Sequence, residues 1–355
     1  MVDITVVVGE DVDVRVDPGD MAVLPTERVG AASAPPGRLA APASPTPASP
    51  SAASGGGARP RPVHGVRTSD GVPLHVEIRG HQGPIVVLSH GFTVDSDEWS
   101  PQIAALAHRA RVVTWDQRGH GKSGWGDPAN ATIDQLGQDL AAVVDAVSPC
   151  GRVVLGGHSM GGMTVLALAR QHPEWFGTRV AGVFLVATSA GQMVSDGPLG
   201  VLHAAARRAG LLPAVLEGAR RAAPIADALP WRDSAVGRWL VRRLAFTPDA
   251  TDEEVRRLQA VTESLPLPVS SAFTSSLLAH DESASLTALA RVPTTVVAAT
   301  GDRLTPAAHG QRIADALGPR ARLVLVEDAG HAVNQTHHEV VDAALLDLVD
   351  GLRHR

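Results

Sequence analysis

Three residues far apart in the chain carry the side chains needed to break an acyl bond. Ser159 lies in Gly157-His158-Ser159-Met160-Gly161, where the apolar run Val153-Val154-Leu155 meets a glycine-rich turn. A serine hydroxyl is a weak nucleophile at neutral pH and needs a base, itself oriented by an acid. Asp302, in "TGDRLTP", and His331, in "EDAGH", each follow an apolar run of strand length further along. Of the fifteen histidines, His331 is the one in a loop after the final such run. Asp328 is a rival acid, but it sits at the strand end leading into the histidine loop rather than across from it, and triad geometry favours Asp302. Glycines two before and two after Ser159 leave room for a strained turn that lifts the hydroxyl out of the chain.

Such residues need a scaffold that gathers them at one edge. From residue 63 the sequence alternates strands and helices: "PLHVEIR", "PIVVLSH", "RVVTWD", "RVVLGGH", "VAGVFLVAT", "TTVVAAT" and "RLVLVED" are mostly continuous Val/Leu runs. Both faces of such strands must be buried, which predicts a largely parallel sheet covered by helices. Between them lies "TIDQLGQDLAAVVDAV", where Ile133, Leu136, Leu140, Val143, Val144 and Val147 share one face and Thr132 with Gln135 suggests a capping box. The expected fold class is α/β, doubly wound, with a mostly parallel sheet. The alternation breaks once, over 189–290, which reads as helices without a strand. A helical cap inserted there, after the sixth core strand, would roof the carboxyl edge of the sheet; the core is then 63–188 and 291–355.

The front of the chain is different in kind. Residues 1–30 hold seven acids and two arginines and read as an acidic segment of two or three short strands with turns. Residues 31–62 are nearly all Ala, Pro, Ser and Gly, too poor in large apolar side chains to offset the entropy of ordering, and read as a disordered linker. Residues 1–60 are therefore expected to be dispensable for stability. The N-terminus has acids where a signal peptide carries basic residues, and no run of 18 apolar residues occurs, so the expectation is a cytoplasmic protein with no integral membrane segment. The single cysteine, Cys150, forms no internal disulfide or thiolate cluster. A net charge of −6, with no basic stripe of interleaved aromatics, gives no sign of a nucleic-acid partner. Oligomeric state is not legible.

With "SHGF", "WDQRGHGKS", "GGHSMGG", "GDRLTP" and "AGH" in this order, the region 63–355 resembles the α/β-hydrolase superfamily, esterase- and lipase-like members with a helical cap in particular. The resemblance implies a catalytic triad of Ser159, Asp302 and His331 and an oxyanion hole of the Phe92 and Met160 backbone N–H groups. It also implies that Asp116, Arg118, Gly119 and Ser123 support the oxyanion loop. An HGGG stretch, which some lipases use, is absent. His90 and His158 are expected to be hydrogen-bonded or packed structural residues.

The expected reaction is hydrolysis of a carboxylic ester with a small to medium apolar acyl group, through a seryl acyl-enzyme, on a small-molecule substrate. The motifs leave open an acyltransferase, a perhydrolase or a carbon–carbon bond hydrolase with the same triad. A binding protein on a hydrolase scaffold is the reading from another class. No metal or cofactor is expected, because the triad supplies nucleophile, base and acid by itself. Met193, Trp231, Trp239 and Phe246 are expected to line an apolar pocket over Ser159.

Overall fold

A computed structural model describes residues 60–191, 208–211, 214, 218, 221 and 234–353, with the strands Ile4–Val7 (β1) and Asp13–Arg15 (β2). The strands of the main region are Arg61–Pro62 (β3), Val76–Arg79 (β4), Ile85–Ser89 (β5), Arg111–Trp115 (β6), Val153–His158 (β7), Val180–Val186 (β8), Thr294–Ala299 (β9) and Ala321–Val326 (β10). They form one sheet in the order β2-β1-β10-β9-β8-β7-β5-β6-β4-β3. From β6 through β5, β7, β8 and β9 to β10 every pairing is parallel, and the pairs at either edge are antiparallel.

Alternation along each central strand sends side chains to two separate cores. Ile85, Val87, Val113, Val153 and Leu155 pack on one face under Ile133–Val147 (α2), Met160–Gln171 (α3) and the helix Ala307–Leu317. Val86, Leu88, Val112 and Val154 pack on the other, under Ser100–Leu106 (α1) and the helix His338–Arg353. Helix α2 buries its predicted face, and Thr132 caps it by accepting from the Gln135 N–H at 3.0 Å. The capping box is half made, because the Gln135 side chain turns to Asp139 instead.

Because β5 neighbours both β6 and β7, the winding reverses between β5 and β7. A crevice opens at the carboxyl ends of strands at such a point. The segments after β5, β7, β9 and β10 carry Phe92, Ser159, Asp302 and His331 respectively. Between β8 and β9 stand Ala235–Ala245 (α4), Asp252–Ser264 (α5) and Leu267–Ala279 (α6), with no strand among the described residues. Ser234 caps α4, and a complete capping box of Thr251 and Glu254 starts α5. Ala288 and Leu289 already belong to the sheet core, so the core resumes some residues before 291.

Two expectations about the front of the chain are corrected. Arg61 and Pro62, placed in the linker, pair with β4, because Arg61 lies opposite Ile78 in an antiparallel register. β1 pairs antiparallel with β10, Ile4 opposite Val326, and so covers what is otherwise an open sheet edge. Dispensability of residues 1–60 no longer follows. Residues 31–59 of the linker lie outside the described residues.

Candidate active site

Ser159 occupies a backbone conformation that side chains avoid, φ 51° and ψ −117°, at a cost of about 1–3 kcal/mol. The surroundings fix it. Its N–H donates to the Val186 carbonyl at 3.0 Å, and its carbonyl accepts from the Thr188 hydroxyl at 2.7 Å. A Cβ at Gly157 would fall 2.2 Å from the Gly161 carbonyl oxygen, and one at Gly161 2.0 Å from that of Ser89. Both glycines are therefore required by space. Met160 begins α3, so its N–H has no acceptor within the helix and stands at the positive end of the helix dipole.

His331 Nε2 lies 2.9 Å from Ser159 Oγ, and His331 Nδ1 lies 2.8 Å from Asp302 Oδ2. The three residues read from the sequence are thus brought together in one hydrogen-bonded line. Asp302 is 4% exposed. Burial pushes its carboxyl up, but the neighbouring His331 and hydrogen bonds from Thr305 outweigh that and hold it below the usual carboxylate range. Its Oδ1 accepts from the N–H groups of Leu304 and Thr305 at 2.8 and 2.9 Å. The Thr305 hydroxyl stands 2.8 Å from Oδ2 and 2.8 Å from the Ala187 carbonyl, which orients the carboxylate toward the imidazole. Sequence reasoning missed Thr305, although it stands in the quoted "GDRLTP". Asp328 takes no part: its N–H donates to the Thr300 hydroxyl at 3.0 Å.

Phe92 follows β5 in a turn held from behind. His90 Nδ1 donates to the Gly91 carbonyl at 2.7 Å, while its Nε2 accepts from the Gln117 N–H at 2.8 Å, so the ring is a buried brace. Asp116 accepts from the N–H groups of Ser96 and Lys122 at 2.9 and 2.8 Å. Arg118, fully buried, donates to both Asp139 and Asp70. Gln117 and Asp116 thus tie the "WDQRGHGKS" turn to the segment around Phe92, whereas Arg118 ties it to Asp70 and α2. His120 packs among Phe92, Phe273 and His90, and burial lowers its pKa to about 3.

Above Ser159 and His331 lies a cavity of about 470 Å³. Phe92, Val94 and Met163 line it from the core, Leu240, Val241, Leu244, Leu258 and Leu277 from the three helices, and Leu265 from the link between α5 and α6. Its wall is mostly apolar, with Glu98, His158 and Asn334 as a polar patch beside the nucleophile. Two expected lining residues are corrected. On α4 the inward positions are Gly237, Leu240, Val241, Leu244 and Ala245, one helical face, so Trp239 falls on the other and is 61% exposed. Phe246 is buried with Ala245, Val255 and Ala332 rather than along the cavity. Met193 and Trp231 lie outside the described residues. Among the described residues no three His, Cys, Asp or Glu side chains are placed to hold a metal ion, and no helix is long and apolar enough to cross a membrane.

The fold is shared with known proteins. Residues 84–337 match the alpha/beta hydrolase fold family. The chain is 30% identical over 285 residues to the "putative carbamate hydrolase RutD" of Variovorax paradoxus (strain S110), covering 78% of this chain and 96% of that one. A thermophilic esterase from Thermogutta terrifontis superposes with a TM-score of 0.64 at 26% identity, covering 83% of this chain and 99% of that one. The enol-lactonase from Burkholderia xenovorans LB400 does so with a TM-score of 0.59 at 26% identity, over 79% and 97%.

Proposed function

The chain belongs to the family of proteins with the alpha/beta hydrolase fold, and we propose that within it the protein is a serine hydrolase of carboxylic esters with small to medium apolar acyl groups. One observation carries the reading: Ser159 Oγ, 2.9 Å from His331 Nε2, opens into a cavity whose wall is mostly apolar. As the hydroxyl attacks the ester carbonyl, His331 takes its proton and Asp302 stabilises the resulting imidazolium. Negative charge moves to the carbonyl oxygen, where the N–H groups of Phe92 and Met160 receive it. Such donors are aimed before the reaction begins, and each is worth about 10²–10³ in rate. His331 then returns the proton to the leaving alcohol, and water repeats the sequence on the acyl-enzyme. No metal or cofactor enters.

The apolar wall favours the acyl chain of a small-molecule ester. Read this way, α4, α5 and α6 act as the cap. The likeness to a carbamate hydrolase supports a second reading, in which the acyl carbon bears nitrogen, since the same attack serves a carbamate carbonyl. A fluorophosphonate probe and a panel of p-nitrophenyl esters and carbamates test both. We expect covalent labelling at Ser159 and turnover highest on uncharged acyl esters. Turnover confined to carbamates would favour the second reading, and full turnover by a Ser159→Ala variant would overturn the mechanism.

A further inference from the structure

A second buried His–carboxylate couple sits beside the nucleophile, at the cavity wall. Glu98, in the turn Ser96–Trp99, is only 5% exposed, and a carboxylate so buried must be paired. Its Oε2 accepts from the Gly91 N–H at 3.2 Å, and its Oε1 lies 3.0 Å from His158 Nδ1 and 3.4 Å from Asn334 Nδ2. The Nδ1 contact is off the line of a straight hydrogen bond, and it is an ion pair when the ring is protonated. His158 Nε2 lies 3.0 Å from the His331 backbone carbonyl oxygen, which can only accept, so that nitrogen carries a proton. With the Glu98 carboxyl facing the other nitrogen, protonation of the ring to the imidazolium is favoured.

We propose that Glu98 is a positioning residue: paired with the His158 imidazolium, it locks the Gly91–Phe92 turn, and so the Phe92 N–H, against the nucleophile elbow and the His331 loop. The inference rests on the serine-hydrolase reading above. Three separate segments meet at the pair: the turn after β5 through Gly91, the elbow through His158, and the histidine loop through the His331 carbonyl and Asn334. The fit is close, since a Cβ at Gly91 would lie 2.9 Å from His158 Nδ1. An apolar pair of equal volume could fill the space, but it would leave the buried Gly91 N–H without its acceptor.

The charges give the pair a signature that packing lacks. The groups facing His158 are Glu98, the His331 ring with its centroid 4.9 Å away, and the Asp302 charge beyond it. Burial disfavours the imidazolium, but the Glu98 charge and the other acceptors outweigh it and raise the pKa above the ordinary 6.5. The imidazolium is therefore complete below that value and lost as pH rises through the raised one. Above it, the bare Nδ1 lone pair faces a carboxylate, the turn loosens, and kcat falls. In Glu98→Gln the amide carbonyl still accepts from the Gly91 N–H and the volume is kept, while the charge facing Nδ1 and the acceptor facing Asn334 Nδ2 are lost.

The test compares wild type, Glu98→Ala and Glu98→Gln on one p-nitrophenyl ester across pH, with melting temperatures and fluorophosphonate labelling. A displaced oxyanion donor can cost about 10² in rate. We expect Glu98→Ala to lose roughly this factor in kcat with little change in KM, and Glu98→Gln to recover about tenfold of it and to lack the alkaline decline. Wild-type kcat and pH profile in Glu98→Ala would overturn the inference alone, provided the wild type labels at Ser159. Equal losses in both variants, tracking a lowered melting temperature, would also overturn it by reducing the pair to a structural one. Failure of the wild type to label would overturn the hydrolase reading and this inference together. Should Glu98→Ala not fold, the alkaline limb of Glu98→Gln decides: its disappearance supports the role, its persistence refutes it.

Discussion

The strand ends that carry Ser159, Asp302 and His331 and the three helices that stand over them are held by different means. At the strand ends, positions are set by backbone: a left-handed φ at Ser159, two glycines with no room for a Cβ, and two N–H groups on the Asp302 carboxylate. In α4 and α5 the fixing is local, through the Ser234 and Thr251 caps, and the inner faces meet the cavity with aliphatic side chains that one another could replace. Directional contacts tolerate almost no displacement, whereas apolar ones lose about 1 kcal/mol or so per methylene. The core should therefore govern rate and the helices selectivity.

The comparison is sharpened most strongly at the nucleophile and base. Ser159→Ala or His331→Ala should lower kcat/KM by about 10⁴-fold or more while leaving the melting temperature close to wild type. Asp302→Asn should cost about 10³- to 10⁴-fold, because the amide favours the wrong imidazole tautomer. Steady-state kinetics on the best ester of the panel reads both. Near-wild-type rates in any of the three would place the chemistry elsewhere.

Thr305→Val keeps the volume and the backbone donor but removes the hydroxyl beside Asp302 Oδ2. A loss of about tenfold in kcat is expected, the scale of one charge-assisted hydrogen bond, with the acyl preference unchanged. In the helices the pattern should invert. Leu244→Ala or Leu258→Ala should shift the acetyl-to-octanoyl profile by about tenfold while altering acetate turnover little. A uniform loss across chain lengths would mean these side chains hold the fold rather than the substrate. The smallest effect is expected at Trp239→Ala, less than about twofold at every chain length, since that side chain faces away from the cavity.

How much was legible beforehand follows the same division. Ser159, Asp302 and His331 could be read because each stands where an apolar strand gives way to a glycine-bearing turn, a pattern local to the chain. Thr305 escaped because its hydroxyl matters only once the loop folds back on Asp302. Trp239 misled: being large and apolar recommended it for the pocket, but its helical phase relative to Leu240 and Leu244 assigned it to solvent. Glu98 carried no local sign at all, being 60 residues from His158.

The sequence by itself determined the alternation of strands and helices, the two-faced burial of the central strands, and the turn that presents the serine. Those depend on periodicity and on the steric needs of single residues. Only the tertiary structure decided that β1 closes the edge at β10, that Gly237, Leu240 and Leu244 rather than Trp239 face the cavity, and that Glu98 meets Gly91 and His158. Such contacts join residues remote in sequence, and their energies depend on distances that no local pattern encodes.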